Sequence, residues 1–183
     1  EKNGVKNPKY ASREGAWMGD NGMSNVVLAT QVVEDGVVVN KKGKSFNGNV
    51  SVLDPVACEV ILRFFMPVDG VRVYNPFGGG VQFGFVTGDN GYEYLSSEIR
   101  QNQCDANNAI CKDFYNTKWI KSDSSKFTPK QKYDLVFTCP PYYQVEDYLD
   151  YDGNPPEGEL NSIPTYEEFR DTLFTGYKKA IEV

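Results

Sequence analysis

From Val71 onward, short apolar runs alternate with segments of helical spacing. "VRVYN" (71–75) reads as a short buried strand, and "GGGVQFGFV" as a glycine turn opening a helix. "GYEYLSSEI" (91–99) is the next strand. "RQNQCDANNAICKDF" (100–114) then sets Cys104, Asn108 and Cys111 at helical intervals. "KWIKSD" and "YDLVFT" (133–138) are two further strands, and "TYEEFRDTLFTGYKKAI" is a helix. Its start is marked by Thr165 with Glu168 three residues later, a reciprocal cap for the first turn. Strands separated by helices predict a parallel sheet covered on both faces, an α/β fold.

Upstream, "SVLDPVACEVILRFF" reads as a capped helix. Asp54 suits the N-cap and Pro55 the first helical position. Val56, Val60 and Phe64 recur every four residues, and Leu62 and Phe65 widen that stripe into a predicted buried face. Met66-Pro67 and Asp69-Gly70 end it. "NVVLATQVV" (25–33) and "GVVVN" (36–40) are β-prone around Glu34-Asp35-Gly36, which predicts a small hairpin. Residues 1–25 lack periodicity and read as a loop or arm, and "KKGKSFNGNV" as a polar connector. The chain thus divides into an arm with a hairpin (1–49) and an α/β domain (50–183).

Composition removes several chemistries. There is no histidine, which excludes His-based metal sites and Ser-His or Cys-His catalysis. The four cysteines, Cys58, Cys104, Cys111 and Cys139, form no CxxC pair. No metal site is expected; the first three cysteines read as small buried hydrophobes. No apolar run approaches the roughly 20 residues of a membrane span, and "EKNGVKNPKY" has no signal-peptide pattern. A cytoplasmic location is the expectation. The net charge of −6 is uneven. Residues 146–183 hold ten acids against three bases, and the remainder is near neutral.

The candidate chemistry starts at "NPFGGGVQFG", which follows a strand and precedes a helix. Adjacent glycines let backbone approach a ligand closely, although the GxGxxG dinucleotide pattern is absent. Glu98 ends the next predicted strand, where an acid in a doubly wound fold accepts hydrogen bonds from ribose hydroxyls. Asp123 ends the third. All three points fall at the carboxyl edge of one sheet. Phe77 and Phe83 also fit plain core packing, the preferred reading for Phe83.

Together, "NPFGGG", "SSEIR", "SDS" and "TCPPYY", in this order and on these strands, resemble S-adenosylmethionine-dependent DNA amino-methyltransferases of the adenine-N6 or cytosine-N4 type. The nearest likeness is to phage-type DNA methylases such as those of restriction-modification systems, over roughly residues 50–183. The resemblance implies a class I methyltransferase, Rossmann-like: an α/β doubly wound, mainly parallel sheet, here incomplete at its C-terminal side. It implies S-adenosyl-L-methionine as cofactor, DNA with a flipped base as partner, and the bacterial or host cytoplasm as location. Cys139, Pro140, Pro141 and Tyr142 then form the catalytic tetrapeptide. Asp54, Pro55, Asn75, Phe77, Gly78, Gly80, Glu98 and Asp123 are the implied cofactor-binding residues.

The tetrapeptide suits that chemistry. An exocyclic amine is a poor nucleophile because its lone pair is delocalised into the ring. Rigid acceptors at its two hydrogens favour a pyramidal nitrogen. Two prolines fix φ near −65° and remove competing donors, which leaves the Pro140 carbonyl to accept. The aromatic stacks on a base taken out of the duplex, so the unit is a positional and electrostatic device.

Two positions depart from the family pattern. Cys139 replaces an Asp, Asn or Ser, and sulfur is a weaker acceptor than oxygen. Asn75 replaces the usual Asp. These favour the alternative of a weak or inactive cofactor-binding subunit of a split methylase. A cysteine nucleophile, or a modified sulfonium donor, is a further variant. Tyr143 fits either a second stacking residue or the surface. The acidic run "YLDYDGNPPEGELNSIP" opposes phosphate binding and reads as a mobile loop near the site. With an open edge beside its fourth strand, the chain is expected to need a second chain or further C-terminal sequence to complete the sheet and grip DNA.

Overall fold

The computed structural model describes residues 31–34, 37–40, 53–66, 70–145, 148 and 154–182. The expected arm, most of the connector and most of the acidic stretch 146–153 lie outside them. Strands β1 (Gln31–Glu34) and β2 (Val37–Asn40) pair antiparallel, with Gln31 opposite Asn40 and Glu34 opposite Val37. Of the expected hairpin, residues 25–30 and its turn lie outside the described residues.

Helix α1 (Pro55–Phe65) starts as its sequence dictates: Asp54 Oδ1 accepts from the Val56 amide at 2.7 Å, and Pro55 occupies the first turn, where its missing N–H costs nothing. Next come β3 (Arg72–Asn75), α2 (Gln82–Asp89), β4 (Glu93–Glu98), α3 (Gln101–Ile110) and β5 (Thr117–Lys121). Strand β6 (Leu135–Val136), a 3₁₀ turn at Leu160–Ser162 and α4 (Tyr166–Ile181) complete the order. Thr165 Oγ1 caps α4 by accepting from the Glu168 amide at 3.3 Å.

The four strands β3 to β6 form one parallel sheet in the order β5-β4-β3-β6. The α/β expectation therefore holds: this is a parallel sheet with flanking helices in a doubly wound strand order. The direction of winding reverses at β3, with β4 on one side and β6 on the other, so the loops after β3 and β6 diverge and leave a crevice.

One sheet face carries the main core. Val73, Phe83, Val86, Tyr94 and Trp119 pack there with Cys58 and Leu62 of α1 and with Cys104 and Cys111. Helix α2 lies close against the sheet because Gly84 has no side chain; a Cβ there would overlap the Trp119 indole. On the opposite face Tyr74 packs against Phe127 and Tyr133. All four cysteines are free thiols; Cys58, Cys104 and Cys111 are buried as expected, and Phe83 is a core residue.

The expected face of α1 holds at Leu62 and is corrected at Val60, Phe64 and Phe65. Val60, Phe64 and Phe65 are 60%, 77% and 58% exposed, while Cys58 and Leu62 are buried. The helix carries two apolar stripes at four-residue spacing, and its contact with α2 and the core selects the narrower one. Among the described residues no helix is long and apolar enough to cross a membrane.

Candidate active site

The loops leaving the carboxyl edge of the sheet are cross-tied before any ligand is considered. Gly78 N–H donates to the Ser97 carbonyl at 2.7 Å, carrying the turn after β3 over the end of β4. A Cβ on Gly78 would sit 2.5 Å from Ser96 Oγ and 2.9 Å from that carbonyl, so this crossing requires glycine. Asn107 of α3 donates to the Gly79 carbonyl at 2.9 Å and fixes the turn from the other side. Ser97 Oγ shares hydrogen bonds of 2.8 Å with both Tyr74 Oη and Ser122 Oγ, and Ser124 Oγ donates to the Pro76 carbonyl. Three strand ends are thereby locked in register.

These loops wall one cleft, into which the structure brings Phe77, Gly78, Glu98, Asp123, Cys139 and Pro141. Residues from the glycine turn, both predicted acids and the proline tip thus share one space, although they come from four different strand ends. Asp54, Pro55, Asn75, Gly80, Pro140 and Tyr142 do not line it. Asn75 is turned inward: its amide donates to Tyr94 Oη at 3.1 Å and its oxygen accepts from the Phe77 amide at 3.1 Å. Its side chain holds the turn together instead of facing the cleft. Asp54 is committed to the cap of α1.

Glu98 is 7% exposed. Its Oε2 accepts from the Gly79 amide at 2.9 Å, and Oε1 accepts from the amide and Nε of Arg100, both at 3.0 Å. Three of about four lone-pair sites on the carboxylate are used, leaving capacity for one ligand donor. Asp123 is held differently. Oδ1 accepts from the amide and hydroxyl of Ser125, and Oδ2 pairs with Lys126 at 3.0 Å. Partial burial pushes its pKa up, but the Ser125 bonds and the Lys126 ammonium outweigh this and hold the carboxyl below its ordinary range.

The proline tip continues the pairing of β6, because the Phe137 amide still donates to the Tyr74 carbonyl at 3.1 Å. Beyond it no further backbone bond to β3 follows among the described residues. Cys139 is exposed, with Sγ 3.6 Å from Tyr142 Oη, and no described residue donates to the Pro140 carbonyl. Tyr142 is 47% exposed. Tyr143 has a structural part: its hydroxyl donates to the Pro164 carbonyl at 2.9 Å, and its ring packs on Tyr166 and Phe169 at the start of α4.

Arg100, Tyr148, Glu159 and Thr172 also line the cleft; none of them was expected as a binding residue, although Tyr148 and Glu159 lie in the stretch expected near the site. The part of the acidic stretch within the described residues is packed against the site: Glu159 and Leu160 are buried, and Gly158 approaches Asp123. Glycine at 158, at φ +86°, allows that bend. Phe77 meets α4 through an edge-on contact with Tyr177 at 5.7 Å and lies against Gly176.

A nucleoside cofactor fits the residues present. Gly79, at φ +54°, has open space where a side chain would point, and two acids with remaining acceptor capacity stand at neighbouring strand ends.

No family model matches this chain, and no curated protein matches it. Among solved structures it is similar to a TehB-like SAM-dependent methyltransferase from Corynebacterium glutamicum, with 16% identity over 68% of this chain and 56% of that one, at a TM-score of 0.43. It is also similar to TrmN from Thermus thermophilus, with 17% identity over 49% of this chain and 29% of that one, at a TM-score of 0.42. A SAM-dependent methyltransferase from Geobacter sulfurreducens in complex with S-adenosyl-L-homocysteine has 14% identity over 49% of this chain and 39% of that one, at a TM-score of 0.40. The chain spans between 29% and 56% of the length of the first two.

Proposed function

We propose that this chain transfers a methyl group from S-adenosylmethionine to the exocyclic amine of adenine (N6) or cytosine (N4) in DNA. The observation that carries the reading is the shared cleft, where the Gly78-Gly79 turn, Glu98 and Asp123 face Cys139 and Pro141 across the winding reversal. When bound, the cofactor supplies an electrophilic methyl on a sulfonium. Everything else falls to the protein.

Glu98 offers its remaining lone pair to a ribose hydroxyl, and Asp123 offers an acceptor toward the adenine amine. Gly79 leaves the turn open on the ligand side. The Pro140 carbonyl, stiffened by two adjacent prolines, accepts a hydrogen of the target amine and favours a pyramidal nitrogen. The Cys139 carbonyl and Sγ stand beside it, and Tyr142 is exposed enough to stack on a base taken out of the duplex. The short edge strand β6 pairs on one side only among the described residues, and a further strand from a partner chain or from additional sequence docks there to complete the sheet and supply cationic contacts to phosphate.

A second reading is favoured by Asn75, whose polar atoms are spent inside the turn, and by the weak acceptor Cys139. In it the fold binds cofactor as a scaffold subunit without turnover. Transfer of tritiated methyl from S-adenosylmethionine to unmethylated DNA, with nucleosides identified by mass spectrometry, separates the two. N6-methyladenine or N4-methylcytosine that disappears in Pro140→Ala and Tyr142→Ala supports catalysis. Cofactor binding without transfer to DNA or RNA, with the candidate partner present, supports the scaffold. Failure to bind cofactor overturns both.

A further inference from the structure

Glu159 is a buried carboxylate in a stretch whose other acids are what a solvated, DNA-repelling loop would carry. It is 8% exposed and lines the same cleft as Glu98 and Asp123. Its Oε1 accepts from the Asn161 amide at 3.1 Å, and the adjacent Leu160 amide also favours its charged form. The carboxylates of Glu98 and Asp123 are already tied to neighbours on both of their oxygens. Glu159 is instead held by amides of its own turn, those of Asn161 and Leu160, which leaves its carboxylate acceptor capacity toward the cleft it lines.

The path of the backbone locates that carboxylate. Gly158 lies next to Asp123, with a would-be Cβ 3.5 Å from Oδ2 and 3.9 Å from Ile99. One residue later, Glu159 faces Glu98 and Arg100, which act on its charge. The segment thus crosses from the end of β5 to the end of β4, over the cleft. Two carboxylates facing one space disfavour an anionic ligand group and favour a neutral group with two adjacent donors. A ribose vicinal diol has that character.

Resting on the nucleoside-cofactor reading above, we infer that Glu159 is a ligand-binding residue of this cleft whose carboxylate accepts a hydrogen bond from one ribose hydroxyl, beside Glu98. Burial, with the Glu98 charge adding to it against the Arg100 charge and the Asn161 and Leu160 amides, pushes the Glu159 pKa up in the unliganded protein. A donor from the ligand offsets that burial.

The test is calorimetric binding of S-adenosylhomocysteine and its 2′-deoxy and 3′-deoxy analogues to the intact chain and to Glu159→Ala and Glu159→Gln. In wild type, loss of the hydroxyl that meets Glu159 weakens binding on the order of 10-fold or more. Glu159→Ala weakens S-adenosylhomocysteine by a similar factor and no longer distinguishes it from that one deoxy analogue. Glu159→Gln, nearly isosteric and still carrying an acceptor, falls between and keeps the test valid if the alanine variant misfolds. Equal weakening of all three ligands, or wild-type affinity in both variants, overturns the assignment while leaving the nucleoside reading intact. Wild-type protein that binds none of the three overturns both.

Discussion

The backbone N–H of Gly79 donates to Oε2 of Glu98 at 2.9 Å, joining the turn after β3 to the last residue of β4. Glu98 is thus a brace for the turn as well as a candidate ligand contact. Its other oxygen holds Arg100, itself only 12% exposed. Glu98→Ala removes three hydrogen bonds and one of the charges facing the largely buried Arg100 guanidinium. Breaking a buried pair from one side costs about 3 kcal/mol or more. Urea denaturation is expected to show that loss, with a smaller one in Glu98→Gln, which retains an acceptor oxygen. A loss below about 1 kcal/mol in the alanine variant would mean that the brace contributes no more than a surface pair.

The sheet was legible from sequence because each strand is short, apolar and bounded by turn residues, and Asp54-Pro55 and Thr165 announce their helices. The placement of Glu98 and Asp123 at strand ends followed from the same reading, since the carboxyl edge of a parallel sheet is fixed once strand direction is known. The buried face of α1 was legible only at Leu62 and Cys58. Val56, Val60 and Phe64 form a stronger stripe than Cys58 and Leu62, and periodicity ranks stripes by composition without knowing which neighbour packs on the helix. Glu159 was missed for a related reason. Acids are seldom buried, and its signal, a glycine and a leucine flanking one acid in an acidic run, is local and weak.

Two glycines test opposite physics in α2 and the turn before it. Gly84→Ala gains about 1 kcal/mol of helix propensity. The new methyl, however, lands on Trp119, which is 1% exposed, and on Tyr94, which is 2% exposed, so neither ring can yield. Overpacking of this kind costs about 1–3 kcal/mol, and the backbone position of the clash puts Gly84→Ala at the upper end. Gly79→Ala meets nothing within 4 Å but must adopt φ +54°, which costs about 1–2 kcal/mol. Thermal denaturation is expected to rank Gly84→Ala as the less stable of the two, and the reverse order would mean that the helix shifts off the sheet to relieve the clash.

The cysteines are expected to divide sharply toward an aromatic disulfide reagent. Burial first of all pushes Cys58, Cys104 and Cys111 up to about 12, with nearby carboxylates adding to it for Cys58 and Cys104. At neutral pH they are protonated and inaccessible, hence inert. Cys139 is exposed at the mouth of the cleft. Native protein should release one equivalent of chromophore quickly and the other three only on unfolding. Cys139→Ser should abolish the fast equivalent. Because Cys139 lines the cleft, the singly modified chain should also lose affinity for S-adenosylhomocysteine.

Glu159 and Asp123 give the stability curve two opposite slopes in acid. Burial is the largest influence on Glu159 and raises its folded-state pKa above the ordinary 4.5. The folded state therefore binds more protons than the unfolded state between those two values, and stability falls as pH rises through that window. The folded form is favoured most below 4.5 and loses this contribution above the raised value. For Asp123, burial opposes ionisation but the Ser125 and Lys126 contacts prevail, so its folded pKa lies below the ordinary 3.8. Its contribution is present above 3.8 and disappears as pH falls through the lower value. Urea midpoints measured from pH 3 to pH 7 should thus fall for wild type relative to Glu159→Gln as the pH climbs above 4.5. Parallel curves for the two proteins across that range would show that Glu159 ionises as freely in the folded chain as in the unfolded one.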